Sequence, residues 1–446
     1  MTTAIKDQTH WRSRSRIELA QVGFWIFVML LLLLPMERVA WPMGALPADV
    51  ALVAIIALFW PIAWARHRRV AFPLLLPMWL IFVASSLATL FSPVPTTGMQ
   101  TMIQEVYIYL GFASAANLLA WLDEENMHRL NKIWIIIACV EGLLSLMGSL
   151  KIGPSFLYKS PIPAKPHYEF EGIQRAFATF ANPNAAGGYL MTAFFVFMAT
   201  PWPRHPLLKL AVGAWLFLGI YATGSNAALG GTLAGLGFYF LYWVLTQEDR
   251  RAVCLWIALG TLMAAVVIAP LLVGFSYSSL LQPSAVLQSS LLATTVGRVG
   301  AGVEKRTNLL SIGWEFFSHN PLGVGPAGVS AIFGVGLHND YMAFLAERGG
   351  LGLIGFLLLI TLTMACVLAS ARLAHGDRVR QLQAIALGVG FLANCIDAMA
   401  HEVFHTRFLW FLMAMIFAYY YMLRQRVGQV AGIESNMSIA SLGKNL

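Results

Sequence analysis

Long apolar segments recur along the whole chain and constrain its fold more than any other feature. A helix that crosses a membrane needs about 20 predominantly apolar residues, and roughly twelve segments approach that length. They lie at residues 18–36, 46–65, 72–92, 102–122, 133–150, 185–201, 207–223, 227–246, 252–275, 350–371, 382–400 and 407–423. Of the 446 residues, 58% are hydrophobic and 11% are charged, whereas soluble proteins have about 45–50% and ~25%. The composition excludes a soluble enzyme, and it predicts an all-α polytopic membrane protein with about 12 transmembrane helices.

These spans divide the chain into four regions. We expect nine transmembrane helices in residues 1–275, with an outer loop near 150–184, and three more in residues 350–424. Between them lies the longest loop, residues 276–349, which we expect to be mostly helical because long loops without structure are uncommon. We expect residues 425–446 to form a cytoplasmic tail.

Lysine and arginine are distributed unevenly between the two sides of the predicted bundle. With the N-terminus in the cytoplasm, 19 of the 29 Lys and Arg residues fall on the cytoplasmic side, and the short opposite loops contain only Arg38 and Arg407. The positive-inside rule therefore places both termini in the cytoplasm. The net charge of +8 then reflects membrane topology, and it does not require a nucleic-acid partner.

Eight further cations remain in the long loops on the predicted outer side. They are Lys151, Lys159, Lys165, Arg175, Arg298, Lys305, Arg306 and Arg348. Arg175 and Arg306 lie close to a membrane boundary, beside aromatic and small residues. Because a guanidinium group can bind two phosphate oxygens at once, we predict an anion-binding role for these two. We expect the three lysines to be surface residues.

His338 lies in the segment GVGLHNDYMAFLAERGGLGLIG, where the long loop re-enters the membrane. A neutral imidazole, with a usual pKa of about 6.5, is suited to take a proton from a hydroxyl group. Neighbouring arginines would lower that pKa and keep the ring neutral. A structural role is equally open, because His338 or Asn339 could cap the start of the next helix.

Residues 323–328 contain a GxGxxG pattern, which in dinucleotide-binding folds connects a strand to a helix. Here the preceding segment, 305–318, has the apolar spacing of a helix, and the pattern lies on the predicted outer side. We therefore interpret these glycines as a tight turn between two helices of the outer loop.

Residues 401–405 read HEVFH, which matches the HExxH pattern of zinc proteases. In those enzymes the motif lies on a helix, so that both imidazoles share one face. Here it falls in a short outer loop, and no third ligand is evident nearby. We predict no metal site.

Glu105, Glu141 and Asp397 lie within predicted spans. Such residues are functional candidates by default, and a transporter would use them as proton or cation sites. The predicted outer loops contain more charges than the mid-membrane region, which favours chemistry at the outer surface.

The motifs together resemble the bacterial O-antigen ligase and O-antigen polymerase superfamily, and the lipopolysaccharide O-antigen ligases in particular. His338-Asn339 is followed by nine residues and then by Gly349-Gly-Leu-Gly352, which is similar to the ligase pattern HNx9GxxG. Arg306 with LLxxGWEFFxxNPLGVG and Arg175 with AxATFANPNAAG resemble two further family segments, in family order. Thr223-Gly-Ser-Asn226 departs from the pattern, because many members have Ser-Arg there.

The resemblance implies a metal- and nucleotide-independent glycosyltransferase of the GT-C type in the bacterial inner membrane, with no cofactor. It would transfer preassembled O-antigen from undecaprenyl pyrophosphate to a sugar hydroxyl of lipid A–core at the periplasmic face, among membrane lipids. His338 would be the general base. Arg175 and Arg306 would bind pyrophosphate, with Arg298 as a third candidate. Asn339, Asp340 and Arg348 are secondary candidates.

Two alternatives remain open. An O-antigen polymerase would perform the same chemistry with a growing polymer as acceptor, although the HNx9GxxG spacing favours a ligase. A lipid or solute transporter would perform no covalent chemistry and would not need His338.

Overall fold

The computed structural model describes residues 21–38, 46–65, 70–159, 169–170, 173–246 and 308–442. Within this part the protein is helical, except for a two-residue antiparallel pairing of β1 (Glu169–Phe170) with β2 (Ile173–Gln174). The predicted all-α fold is confirmed. The ninth predicted span, 252–275, lies outside the described residues.

Each predicted span within the described residues overlaps a helix, although several helices extend well beyond the predicted bounds. In chain order they are α1 (Gln21–Leu33), α2 (Pro47–Ala65), α3 (Leu75–Leu90), α4 (Pro95–Leu119), α5 (Glu124–Ser149), α6 (Pro183–Met198), α7 (Pro206–Ala222), α8 (Asn226–Leu245), α9 (308–319), α10 (Gly328–Phe333), α11 (Asp340–Leu373), α12 (Arg378–Asp397) and α13 (Arg407–Leu442).

Five of the described helices, α2, α5, α8, α11 and α12, are long and apolar enough to cross a membrane. Large apolar side chains also cover the outside of the bundle; Trp64 and Leu207, for example, are 83% and 70% exposed. An apolar exterior of this kind matches a hydrocarbon environment rather than water. The structure is that of a helical membrane protein, and the number of twelve spans stays a prediction.

Polar side chains at the helix starts fix where the helices begin. Asp123 accepts a hydrogen bond from the backbone of Asn126 at the start of α5, and Ser225 accepts one from Ala228 at the start of α8. Such caps satisfy backbone N–H groups that the first helical turn leaves without a partner. Short polar segments between apolar runs therefore set the helix boundaries.

Helices pack closely where small residues face one another. α5 crosses α7 at Gly142 and Gly219, where a Cβ atom on Gly219 would lie 2.8 Å from the Gly142 Cα atom. This is the small-residue packing that helices use in membranes, where apolar burial alone gives no preference for another helix over lipid. The most extensive helix pairings join α3 to α11, α8 to α12 and α5 to α7.

Contacts between loops divide the bundle into two ends. At the first, which we call the site end, Ser92 binds the Val324 carbonyl and Arg407 binds Asp49. The loops at the site end are 34–38, 91–94, 175–182, 223–225, 320–339 and 398–406. At the opposite end, Arg380 and Arg426 form ion pairs with Glu124. This alternation matches the predicted order of inner and outer loops, and which end faces the cytoplasm stays a prediction.

Candidate functional site at the loop end of the bundle

His338 lies at the site end, immediately before α11. Its side chain is exposed, and its backbone is left-handed, with φ of 50°. That conformation costs an L-residue about 1–2 kcal/mol, so neighbouring contacts must hold it. Asn339, not His338, is the cap of α11, since its side-chain oxygen accepts a hydrogen bond from the Met342 amide at 2.9 Å. The capping role that was open for His338 therefore belongs to its neighbour.

Residues 339 and 340 fasten the start of α11 to the loop between α12 and α13. The Asn339 amide nitrogen donates to the Met399 carbonyl at 2.8 Å. Asp340 is buried, and its carboxylate accepts hydrogen bonds from the backbone amides of Val403 and Phe404 at 2.7 and 3.1 Å. Asn339 and Asp340, both secondary candidates from the sequence, thus have positioning contacts in the fold.

Glu402 connects the same loop to His338 itself. Its Oε1 atom accepts a hydrogen bond from the His338 backbone amide at 3.1 Å. The HEVFH segment that contains Glu402 forms turns between α12 and α13 rather than a helix. Across the described residues, no group of three His, Cys, Asp or Glu side chains is arranged to hold a metal ion.

Arg348 has a different position from the one predicted. The sequence places it among the cations of the outer loop, but its side chain is only 6% exposed. It forms ion pairs with Glu105 of α4 and with Glu347 at 3.4 Å, and its Nε atom donates to Ser85 of α3 at 3.2 Å. Burial of a guanidinium requires such partners. Arg348 therefore joins α11 to α3 and α4, and Glu105 is its partner.

The first glycine of the GxxG part of the HNx9GxxG pattern, Gly349, has a structural explanation. α11 breaks at Gly349, whose φ of 66° disfavours other residues. The break leaves the carbonyls of Ala346 and Glu347 open, and they accept hydrogen bonds from Val324 and Gly325 at 3.2 and 2.9 Å. The 323–328 glycine segment is a turn between α9 and α10, as predicted, and it packs directly on this break.

A cavity of about 310 Å³ lies beside the His338 segment, between α3, α4, α11 and the 398–406 loop. Its wall contains the carboxylates of Glu105, Asp340, Glu347 and Glu402, the cations Arg348 and Arg407, and the rings of Phe344, Phe404, His405 and Trp410. Both guanidinium groups are ion-paired, so the wall is poorly suited to bind a pyrophosphate.

Arg407 is paired with Asp49 through two bonds. Its Nε and Nη2 atoms donate to the two carboxylate oxygens at 2.9 and 3.0 Å, which fixes the start of α13 to the start of α2. Nearby, burial raises the pKa of Glu37 to about 7, and the charge of Arg407 opposes that shift.

Arg175 occupies another part of the site end. Its Nε atom donates to the Thr223 carbonyl at 3.4 Å, and its Nη2 atom donates to the side-chain oxygen of Asn184 in the first turn of α6. Arg175 thus joins the segment before α6 to the Thr223-Gly-Ser-Asn226 turn between α7 and α8. Arg298 and Arg306, the other predicted pyrophosphate ligands, lie outside the described residues.

The remaining ionisable residues of the predicted spans are buried. Beside Glu141, the Thr179 hydroxyl oxygen lies 2.9 Å from both Glu141 Oε2 and the Pro35 carbonyl oxygen, and its single proton can be donated to one of them at a time. Asp397 ends α12 and lies against α6, where a Cβ atom on Gly188 would be 3.3 Å from its Oδ2 atom. Thr179 therefore connects its own loop both to Glu141 of α5 and to the loop that contains Pro35.

Residues 211–357 match a family model described as O-antigen ligase. This match supports membership of the O-antigen ligase superfamily. No curated protein matches the chain. The matched region begins in α7 and ends in α11, so it includes His338, Arg298, Arg306 and Arg348. Arg175 and Glu402 lie outside it.

Sequence analysis did not predict two hydrogen bonds that involve residues of the matched region. It considered the HEVFH segment only as a zinc motif, and that spacing gave no sign that the Glu402 carboxylate would bind the His338 backbone 64 residues away. It also passed over Glu347, whose Oε2 atom accepts a hydrogen bond from the Ala327 amide at 2.9 Å. The charged Glu347-Arg348 pair directly before Gly349 was the sequence feature that could have indicated a structural role for Glu347.

Proposed function

We propose that this protein is an O-antigen ligase that transfers preassembled O-antigen from undecaprenyl pyrophosphate to a sugar hydroxyl of lipid A–core. One observation carries the proposal. The region that matches the O-antigen ligase model contains His338, and this residue presents an exposed side chain from a backbone that several contacts hold at the site end. An exposed imidazole on a fixed backbone suits a general base.

In the proposed reaction, His338 takes the proton of the acceptor hydroxyl. The acceptor oxygen then forms a bond to the anomeric carbon of the lipid-linked glycan, and the bond from that carbon to the pyrophosphate oxygen breaks. Undecaprenyl pyrophosphate leaves with the electron pair. Because the donor already contains an activated bond, the reaction needs no nucleotide, and the chain needs no metal or cofactor.

Arginines supply the charge that the leaving group requires. Arg175, Arg306 and Arg298 bind the pyrophosphate in this proposal and stabilise the negative charge that develops as the bond breaks. The contacts of Arg175 with Thr223 and Asn184 support such a role, because they hold the guanidinium beside the N-terminus of α6, where the helix dipole also favours an anion. Arg348 takes no part, since it is buried in an ion-pair network.

The site end faces the periplasm in this proposal, and both termini lie in the cytoplasm of a bacterium whose inner membrane contains the protein. The opposite end contains the cations that the positive-inside rule places in the cytoplasm, among them Arg204, Arg378 and Arg380. Both substrates are lipid-anchored, so a site at the membrane surface can receive them from the outer leaflet.

Purified protein, lipid-linked O-antigen and lipid A–core, mixed without nucleotide, test the proposal. A ligase forms O-antigen-bearing lipid A–core and releases undecaprenyl pyrophosphate. Replacing lipid A–core with a second lipid-linked glycan tests the alternative of a polymerase, which would lengthen the glycan on its lipid carrier. Absence of covalent product in both mixtures, from folded protein, would contradict glycosyl transfer.

A further inference from the structure

The HEVFH loop contains a side chain that reaches the backbone of His338. The Oε1 atom of Glu402 accepts a hydrogen bond from the His338 backbone amide, and the two residues are 64 positions apart in sequence. The adjacent residues are fastened to the same loop by backbone partners: Asn339 binds the Met399 carbonyl, and the Asp340 amide donates to the Ala398 carbonyl at 2.9 Å. At His338 itself this connection is made by a side chain, so a substitution can remove it.

The hydrogen bond to Glu402 matters because the backbone of His338 has an unfavourable conformation. Its φ of 50° lies in the left-handed region, which L-residues occupy only when surrounding contacts hold them. The direction of the Cα–Cβ bond, and hence of the imidazole, depends on that backbone angle. A change of φ towards the ordinary region would turn the ring away from its present position without altering its chemistry.

Gly336 lies next to the Glu402 carboxylate, which occupies the space that a side chain at position 336 would need. A Cβ atom on Gly336 would lie 2.7 Å from Glu402 Oε1. The same oxygen accepts the hydrogen bond from the His338 backbone amide. The φ of Gly336 lies outside the left-handed range, so alanine suits the backbone there and conflicts only with the carboxylate. Gly336 and Glu402 therefore offer two independent ways to disturb one hydrogen bond.

We propose that Glu402 is a positioning residue for glycosyl transfer, which holds the His338 backbone in the conformation that aims the imidazole at the acceptor hydroxyl. This inference rests on the proposed role of His338 as general base. The carboxylate acts through the backbone amide and touches neither substrate. Glu402, the glutamate of the HExxH pattern, thus positions the proposed general base and has no role at a metal.

The test compares turnover, acceptor KM and donor binding among Glu402→Ala, Glu402→Gln and Gly336→Ala in the full-length protein. Glu402→Ala should lower kcat by roughly 10–100-fold, the usual cost of a misplaced catalytic group, while donor binding and acceptor KM stay within about twofold. Glu402→Gln retains an acceptor oxygen, so it should recover most of that loss. The exposed carboxylate of Glu125 on α5, at the opposite end of the bundle, provides the control, and Glu125→Ala should match the unsubstituted protein.

A double-substitution cycle separates this hydrogen bond from general damage to the loop. Gly336→Ala should lower kcat like Glu402→Ala, and the double variant should be no slower than either single variant, because each removes the same bond. Wild-type kcat in Glu402→Ala, or fully additive losses, would overturn the inference. If Glu402→Ala does not fold, unchanged kcat in Gly336→Ala still overturns it. Active His338→Ala would instead contradict the base assignment, so the two failures are distinguishable.

Discussion

Arg348 and Glu105 form a buried ion pair that connects α11 to α4, and the Arg348 guanidinium also lies 4.4 Å from the centre of the Phe344 ring. The two charged residues are 243 positions apart in sequence. Their pairing explains how the protein retains an arginine that is only 6% exposed, because an unpaired charge at this depth would be strongly unfavourable.

We expect Arg348→Ala to destabilise the protein rather than to weaken donor binding selectively. Removing one partner of a buried ion pair costs roughly 3–5 kcal/mol, which a thermal unfolding measurement in detergent would detect. Arg129→Ala is the matched control, since Arg129 forms an exposed pair with Glu125, and such pairs contribute about 0–1 kcal/mol. A normal melting temperature for Arg348→Ala would contradict the structural role.

Gly349→Ala should also lower stability. A Cβ atom there would lie 2.4 Å from the Pro321 carbonyl oxygen, and φ is already 66°, so both contact and conformation oppose the substitution. Gly350 is the control, because a Cβ atom at that position would meet nothing within 4 Å. A melting temperature that falls for Gly349→Ala and not for Gly350→Ala is the expected result. Equal effects at both positions would show that the break in α11 is not essential.

Much of the fold follows from local sequence patterns. Each predicted span within the described residues coincides with a helix, because about 20 apolar residues in succession have few other stable structures in a membrane. The turn at 323–328 and the helix before it were also predictable, since glycine pairs and apolar spacing are local signals. The predicted helix 305–318 overlaps α9, residues 308–319.

The contacts that shape the candidate site depend on tertiary structure. Arg348 was predicted to be an outer-loop cation, because nothing in its neighbourhood reveals Glu105 as a partner. The role of Glu402 was equally hidden, since the HExxH spacing suggests a helix while the segment forms turns. His338, by contrast, became a candidate through its spacing to Gly349 and Gly352, and the break in α11 accounts for the glycine at position 349.

Arg306→Lys should reduce glycosyl transfer even though the charge is retained. A lysine cannot span two phosphate oxygens as a planar guanidinium does, and a loss of a few kcal/mol corresponds to roughly 10–100-fold in rate. Steady-state rates for Arg306→Lys and for Arg204→Lys, an exposed arginine at the opposite end, give the comparison. Undiminished rates in Arg306→Lys would show that only diffuse electrostatics matter at that position.

Chelators should leave the transfer rate unchanged. His401 and His405 have the spacing of a zinc motif, but their segment forms turns, and the described residues offer no third ligand in a metal-binding arrangement. The check is to assay protein that has been treated exhaustively with chelator and then supplied with zinc. Loss of transfer on chelation, followed by recovery with zinc, would revive the metal interpretation of the HEVFH segment.

His338→Ala tests the general base. The variant should fold and still bind lipid-linked donor, because the arginines that bind pyrophosphate remain. Transfer should fall by about two to four orders of magnitude, the usual contribution of a positioned base. The transfer rate of the unsubstituted protein should rise with pH as the base loses its proton, and the rise should be absent in His338→Ala. His319→Ala, at an exposed histidine of α9, is the control and should behave normally.

The most direct measurement is turnover in the purified transfer assay, with unfolding temperature and donor binding recorded on the same His338→Ala preparation. We predict a normal unfolding temperature, normal donor binding and transfer reduced at least 100-fold. Transfer at the unsubstituted rate from that preparation would contradict the assignment of His338, and with it the proposal that this protein is an O-antigen ligase with a histidine base.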